Sequence, residues 1–142
     1  MDYQNLKESI EFLDSGQPPA ENAGLFGVNP DPLESLVVLM PVRWEGTASY
    51  IKGAALGPEA IIQASHQLDL MDIAFGRPYS SGISMVDGFR SFSSSMRVGE
   101  EDVDGIRAIG LEINEAVFSA TEKWLNENKI VGIIGGEHSV PL

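Results

Sequence analysis

Short and nearly continuous hydrophobic runs indicate strands at three places after residue 35, at positions 36–42, 83–86 and 130–134. Runs of this length and composition are typical of strands that are buried on both faces of a parallel sheet. We therefore predict three strands. We expect the first of them to end at Pro41, because proline donates no hydrogen bond to a neighbouring strand.

Two longer segments between these runs repeat hydrophobic residues every three or four positions, the spacing of an amphipathic helix. The first begins at Gly57 and Pro58, a proline suited to the first helical position. Its predicted inward stripe is Ile61, Ala64, Leu68 and Met71, and its predicted outward positions are Glu59, Gln63 and Asp69.

The second helical segment starts at the acidic residues 100–104, since carboxylates complement the free amide groups of a helix start. Its predicted inward stripe is Val103, Ile106, Ile109, Ile113, Ala116, Val117, Ala120 and Trp124. The order of strand, helix and strand predicts a right-handed crossover and a parallel pair. The sequence therefore indicates an α/β fold.

The amino-terminal residues form a separate segment. Residues 3–13 carry hydrophobic residues at helical spacing, and residues 17–32 hold four prolines and two glycines, which favours an extended connector. We divide the chain into a helix and extended arm at residues 1–35 and one portion of an α/β domain at residues 36–142. The helix either contacts a second copy of the chain or packs back on its own sheet, and the pattern favours neither.

Charge and composition restrict the possible partners. The chain has 21 acidic and 9 basic residues and a net charge of −12, which disfavours nucleic acid and anionic membrane surfaces. A small cationic substrate is compatible with this charge, and so is a simple role in solubility. The absence of cysteine excludes disulfides and thiolate metal sites. The amino terminus has no leader pattern, so we expect a cytoplasmic protein.

Candidate chemistry lies in the last stretch of the chain. Gly135 and Gly136 follow the third predicted strand and allow a sharp turn, which presents Glu137, His138 and Ser139 at the carboxyl end of that strand. Ligands of open α/β sheets bind at this edge, and a carboxylate beside an imidazole is suited to a metal site. The glycine pair could also form a phosphate turn, although no lysine or full glycine fingerprint accompanies it.

Two segments of the sequence resemble the arginase–agmatinase, or ureohydrolase, family. The residues GGEHS at positions 135–139 resemble the family's Gly-Gly-(Asp/Glu)-His-Ser motif. Residues 41–61, PVRWEGTASYIKGAALGPEAI, resemble the family's first active-site loop. The two matches come in the order found in the family.

The resemblance implies a fold, a reaction and a set of site residues. The implied fold is a three-layer α/β/α parallel sheet of the ureohydrolase type, of which this chain would hold only the amino-terminal strands and helices. His138 would be the first ligand of a two-manganese centre, with Glu137 and Ser139 supporting it. The implied substrate loop lies near the mouth of the active site and includes Glu45, Thr47, Ser49 and Tyr50.

The implied reaction is hydrolysis of a small cationic guanidino compound to urea and an amine. Guanidinium groups are resonance-stabilised, and paired metal ions can lower the pKa of bound water to generate the necessary nucleophile. The loop is more similar to the agmatinase branch of the family, which implies agmatine as substrate and putrescine as product. Formiminoglutamate and other guanidino acids are alternative substrates. Family members are usually trimers or hexamers, so we expect a homo-oligomer.

The ligand set of the family is only partly matched. Manganese prefers carboxylates with some imidazole, and of the family's ligands the sequence matches His138 alone. It contains no Asp-x-His-x-Asp motif, and its Asp102-x-Asp104 pair falls at a predicted helix start. We therefore expect a fragment or truncated form that is inactive in isolation. The alternative is a catalytically silent half-domain that acts as a subunit or interaction module.

Overall fold

The structure, a computed structural model, describes residues 3–20, 22–46, 53–86 and 103–136. Its helices and strands are α1 (Leu6–Asp14), β1 (Val37–Val42), α2 (Gly57–Ser65), β2 (Ile83–Met85), α3 (Val103–Asn126) and β3 (Ile130–Gly135). Short 3-10 turns lie at Leu25–Gly27, Ala54–Leu56 and Pro78–Ser81.

The three strands form one parallel sheet in the order β2-β1-β3. Val37 of β1 pairs with Ile83 on one side and with Ile130 on the other, and Val42 pairs with Gly135. The three predicted strands and their parallel direction are confirmed, but β2 and β3, which α3 connects, each pair with β1 and not with each other. The central position of β1 places its carboxyl end between the ends of its two neighbours.

Pro41 lies inside β1 and does not end it, which corrects the sequence-based expectation. It pairs in register with Ile134. Leu39 accepts a hydrogen bond from Val86 on the β2 side, whereas Val42 accepts one from Gly136 on the β3 side. Alternate residues of a parallel strand point to opposite neighbours, so Pro41 faces the β2 side, beyond the last β1–β2 pair. The missing amide therefore removes no bond from the β1–β3 ladder.

Helices cover both faces of the sheet. Val38, Met40 and Val42 form a buried cluster with Trp44, Val86 and the α3 residues Ile113, Val117 and Trp124. Leu39 points to the opposite face, where it packs with the cluster of Leu25, Met85 and the α2 residue Ile62. The chain is therefore an α/β protein with a parallel sheet between helical layers, consistent with a partial ureohydrolase fold.

The predicted inward stripe of α2 is wrong. The helix buries Pro58, Ile62 and Ser65, whereas Ile61 is exposed. The helix also ends at Ser65, so Leu68 and Met71 lie beyond it and are exposed. The Ser65 hydroxyl accepts a hydrogen bond from the Phe26 amide and donates one to the Ile62 carbonyl. These polar contacts turn the helix so that a serine occupies the buried face.

The predicted burial of β3 on both faces is also wrong. Ile130 is 58% exposed and Ile133 is 41% exposed. β3 is an edge of the sheet, and no strand among the described residues pairs with its outer side. The inward stripe of α3 is confirmed from Ile106 to Trp124, but Val103 at the helix start is exposed.

The amino-terminal helix contacts its own chain. The Leu6 amide donates to the Glu34 carboxylate at 2.6 Å, and the Gln4 amide donates to the Asn29 carbonyl at 2.7 Å. Asp14, near the helix end, pairs with Arg77. These contacts hold the helix against neighbouring segments of its own chain. Both alternatives for the role of the arm and the domain boundary at residue 35 stay predictions. Within the described ranges, no helix is long and apolar enough to cross a membrane.

Candidate functional site

The carboxyl ends of β1 and β3 lie side by side. Val42, the last residue of β1, pairs with Gly135, and its carbonyl accepts a hydrogen bond from the Gly136 amide at 3.0 Å. The loop that follows β1 and the segment that follows β3 therefore leave the sheet from adjacent positions. The two motifs of the sequence analysis begin at the same edge of the molecule.

Gly136 lies close to the backbone of the loop after β1. A Cβ atom at this position would lie 2.0 Å from the Trp44 carbonyl oxygen and 3.3 Å from Ala55 Cα. Backbone atoms block the side chain here, so only glycine fits without a shift of the chain. The second glycine of the motif thus lets the loop after β1 lie directly against the end of β3.

The Glu45 side chain, near the start of the loop after β1, contacts residues at the far end of that loop. Its Oε2 atom accepts hydrogen bonds from the Gly53 amide at 2.6 Å and the Ala55 amide at 3.0 Å. Amide groups at the start of a helical turn lack partners within the turn, and a carboxylate there satisfies them. The Glu45 carboxylate therefore connects the beginning of the loop to its end at the Ala54–Leu56 turn.

An ion pair that the sequence analysis did not anticipate connects the same two regions. Arg43, directly after β1, donates from Nε to Oε1 of Glu59 in the first turn of α2. The Arg43 side chain is only 6% exposed and that of Glu59 is 44% exposed. Glu59 was expected to face solvent. The only signal in the sequence was the presence of opposite charges at the two ends of a glycine-rich loop.

The remaining predicted site residues lie outside the described residues, namely Thr47, Ser49, Tyr50, Glu137, His138 and Ser139. The structure describes the residues that flank the two undescribed segments, Gly46, Gly53 and Gly136. The roles of the six predicted site residues themselves stay predictions. In the part of the chain that is described, no three His, Asp or Glu side chains form a group that could hold a metal ion. His66, the C-cap residue of α2, contacts the Gly24 carbonyl through Nε2 at 2.9 Å.

Comparisons with known proteins agree with both motifs. Residues 35–142 match the model of the family described as Arginase family. The chain is 27% identical over 107 residues to an N(1)-aminopropylagmatine ureohydrolase of Synechocystis sp., covering 75% of this chain and 32% of that protein. It is 29% identical over 118 residues to an N(1)-aminopropylagmatine ureohydrolase of Thermus thermophilus, covering 82% of this chain and 36% of that protein.

The chain thus spans about one third of the length of the curated relatives it matches, 32% and 36% of the two proteins above. No solved structure matches it.

Proposed function

Because the chain belongs to the arginase family, we propose that it contributes one edge of the active site of a ureohydrolase. The reaction would be manganese-dependent hydrolysis of a guanidino compound to urea and an amine. The observation that carries this proposal is the contact of Gly136 with Trp44, because it joins the two family motifs at one edge of the sheet. Carboxyl edges of parallel strands are the usual ligand-binding edges of α/β proteins.

The donor chemistry of this edge fits part of a manganese site. His138 would supply an imidazole ligand, and Glu137 and Ser139 would hold that imidazole in orientation. No group of three ligand side chains lies among the described residues, so we propose that this chain supplies one ligand of a shared site. When bound, paired divalent ions supply the Lewis acidity that activates water for attack on the guanidinium carbon.

We propose that the loop after β1 binds the substrate. Glu45 joins the two described ends of this loop through the Gly53 and Ala55 amides, and we propose that Thr47, Ser49 and Tyr50 contact the guanidino compound. A cationic ligand is compatible with the net charge of −12. The proposed substrate is agmatine, with putrescine as product.

A second candidate substrate is N(1)-aminopropylagmatine. Two relatives that match most of this chain are named as ureohydrolases of that compound. Calorimetric titration of the chain with each compound separates the two candidates, because binding can be measured without turnover. Tighter binding of agmatine would support the first candidate, and tighter binding of N(1)-aminopropylagmatine would support the second.

We expect the isolated 142-residue chain to release no urea, because a single matched imidazole binds manganese weakly. We also propose that the protein assembles as a trimer or hexamer in the cytoplasm. The alternative of a catalytically silent interaction module applies if neither metal nor substrate binds.

Manganese binding tests the proposal. Titration with Mn²⁺, followed by electron paramagnetic resonance of the free ion, should reveal weak binding that His138→Ala removes. His66→Ala is the matched control, because His66 is the other histidine of the sequence and contacts the Gly24 carbonyl. It should bind manganese as the unaltered chain does.

Two results would contradict the proposal. Manganese binding that survives His138→Ala would exclude His138 as the ligand. Retention of two ions per chain after desalting would show a complete site and would overturn the expectation of an inactive chain.

A further inference from the structure

Helix α3 carries hydrophobic residues on the side that faces away from the core as well as on its core side. Leu111, Phe118 and Leu125 are 55–65% exposed. They are spaced seven residues apart, which is almost two helical turns, so they lie in one line along the helix. We call this line the outer stripe. A helix that packs on one side only carries polar residues on the other side, so the outer stripe indicates a second contact.

The outer stripe lies roughly opposite the residues that attach α3 to the sheet. Ile113, Val117 and Trp124 are buried in the core cluster with β1. In a layered α/β fold, further helices are added beside α3 in its own layer, where they contact its sides. Such helices leave the outer stripe uncovered. The occupant that fits it best is therefore a separate chain.

The charges beside the outer stripe differ between its two sides. Four residues after Leu111 and Phe118, on one side of the stripe, are Glu115 and Glu122. The positions four residues before each stripe residue lie on the other side and carry no acid; they are Arg107, Asn114 and Thr121. Within the described ranges, none of these charged side chains takes part in an ion pair. The stripe therefore has one acidic side and one neutral-to-basic side.

A second copy of the chain, with its α3 parallel to the first, matches this charge distribution. A twofold axis along the two helices places the acidic side of each copy against the neutral-to-basic side of the other. Near the helix starts, it also brings Asp104 of one copy beside Arg107 of the other. Antiparallel helices would place the two acidic sides together, where like charges repel. In the parallel pair each stripe residue faces its own counterpart.

The area of the outer stripe predicts a weak dimer. An aromatic side chain carries about 150–250 Å² of surface, so the exposed parts of the three stripe residues amount to roughly 300 Å² per chain. Two copies then bury on the order of 600 Å² of stripe, and the side chains beside it add to this area. Contacts below about 1,200 Å² are typical of weak and transient complexes. We therefore expect a dimer that dissociates on dilution.

We propose that the outer stripe of α3 is a dimerisation surface, which binds the outer stripe of a second copy in parallel orientation. This inference does not depend on the proposed reaction, because no residue of the stripe belongs to either family motif. A twofold contact of this kind can pair two chains or join two trimers into a hexamer.

Single cysteines test the contact, because the chain contains no cysteine of its own. In a parallel pair, Leu111→Cys faces its counterpart at a separation suited to a disulfide, which joins Cα atoms about 4.4–6.8 Å apart. The thiol oxidant diamide should therefore produce a covalent dimer of Leu111→Cys at least about tenfold faster than one of Leu68→Cys. Leu68 is the matched control, because it is similarly exposed and lies outside α3.

A mixture of Leu111→Cys and Leu125→Cys tests the direction of the two helices. A parallel pair links each variant to its own kind, whereas an antiparallel pair links one variant to the other. Mass spectrometry identifies the linked species. Preferential formation of the mixed dimer would overturn the proposal, and so would equal rates of linkage for Leu111→Cys and Leu68→Cys.

Sedimentation velocity over a range of concentrations measures the association without a cross-link. The reference chain carries Ile133→Lys, so that the open edge of β3 does not contribute. Adding Phe118→Glu places two carboxylates at the centre of the contact and should weaken dimerisation at least about tenfold. Adding Leu68→Glu instead should leave dimerisation unchanged. Both positions are exposed, so circular dichroism should show the same helix content in all three chains. Unchanged dimerisation with Phe118→Glu would overturn the proposal.

Discussion

At the scale of single residues, two glycines differ sharply in their surroundings. A Cβ atom on Gly136 would meet the Trp44 carbonyl oxygen, whereas one on Gly110, inside α3, would meet nothing within 4 Å. Gly136→Ala should lower the free energy of unfolding by about 1–3 kcal/mol, because backbone atoms must move. Gly110→Ala should raise it by about 1 kcal/mol, because alanine favours a helix interior.

Chemical denaturation of the two variants measures this difference. Equal unfolding free energies for Gly136→Ala and Gly110→Ala would contradict the close contact between the end of β3 and the loop after β1.

The sequence predicted that the glycine pair allows a sharp turn and a close approach, but it did not identify the segment that Gly136 approaches. The structure shows that this segment is Trp44, which depends on where the loop after β1 lies. The Arg43–Glu59 pair was missed for a similar reason. The two residues are 16 positions apart across a loop, and no local periodicity predicts which charges meet across such a distance.

At the scale of elements, α3 has one face in the core and one face in solvent. Ile113 is almost completely buried, and Leu111, two positions before it, is exposed. Ile113→Ala should lower the free energy of unfolding by about 2–5 kcal/mol, since it removes a filled part of the core. Leu111→Ala should change it by at most about 0.5 kcal/mol. Chemical denaturation measures the free energy of unfolding of both variants. A similar decrease for Ile113→Ala and Leu111→Ala would show that α3 packs through a different face.

The buried face was predicted correctly for the long helix and wrongly for the short one. The hydrophobic period of α3 repeats over 24 residues, so its inward face is determined by many positions. α2 has only nine residues, so two of the four predicted stripe positions, Leu68 and Met71, lie beyond its end, and the stripe was wrong. The hydrophobic pattern of β3 predicted a strand correctly but did not predict that the strand is exposed. Exposure depends on which strands lie beside it.

At the scale of the whole molecule, the sheet has an open side along β3. No strand among the described residues covers this side, and Ile133 is partly exposed there. Open hydrophobic strand edges promote association between chains. Ile133→Lys should therefore reduce concentration-dependent association in sedimentation velocity. Leu68→Lys, at an exposed position outside any strand, is the control and should have little effect. Equal effects of the two variants would indicate association through general hydrophobicity.

The central position of β1 also determines the order in which the protein can be completed on the ribosome. Both neighbours of β1 are encoded after it, and β3 begins only at Ile130. At a synthesis rate of about 5–20 residues per second, β1 waits roughly 4–18 s for β3 to be translated. During this interval Val38, Met40 and Val42 lack the helix α3 and the strand that cover them in the finished sheet. These three residues of β1 therefore lack their neighbours in the nascent chain until α3 and β3 have been translated.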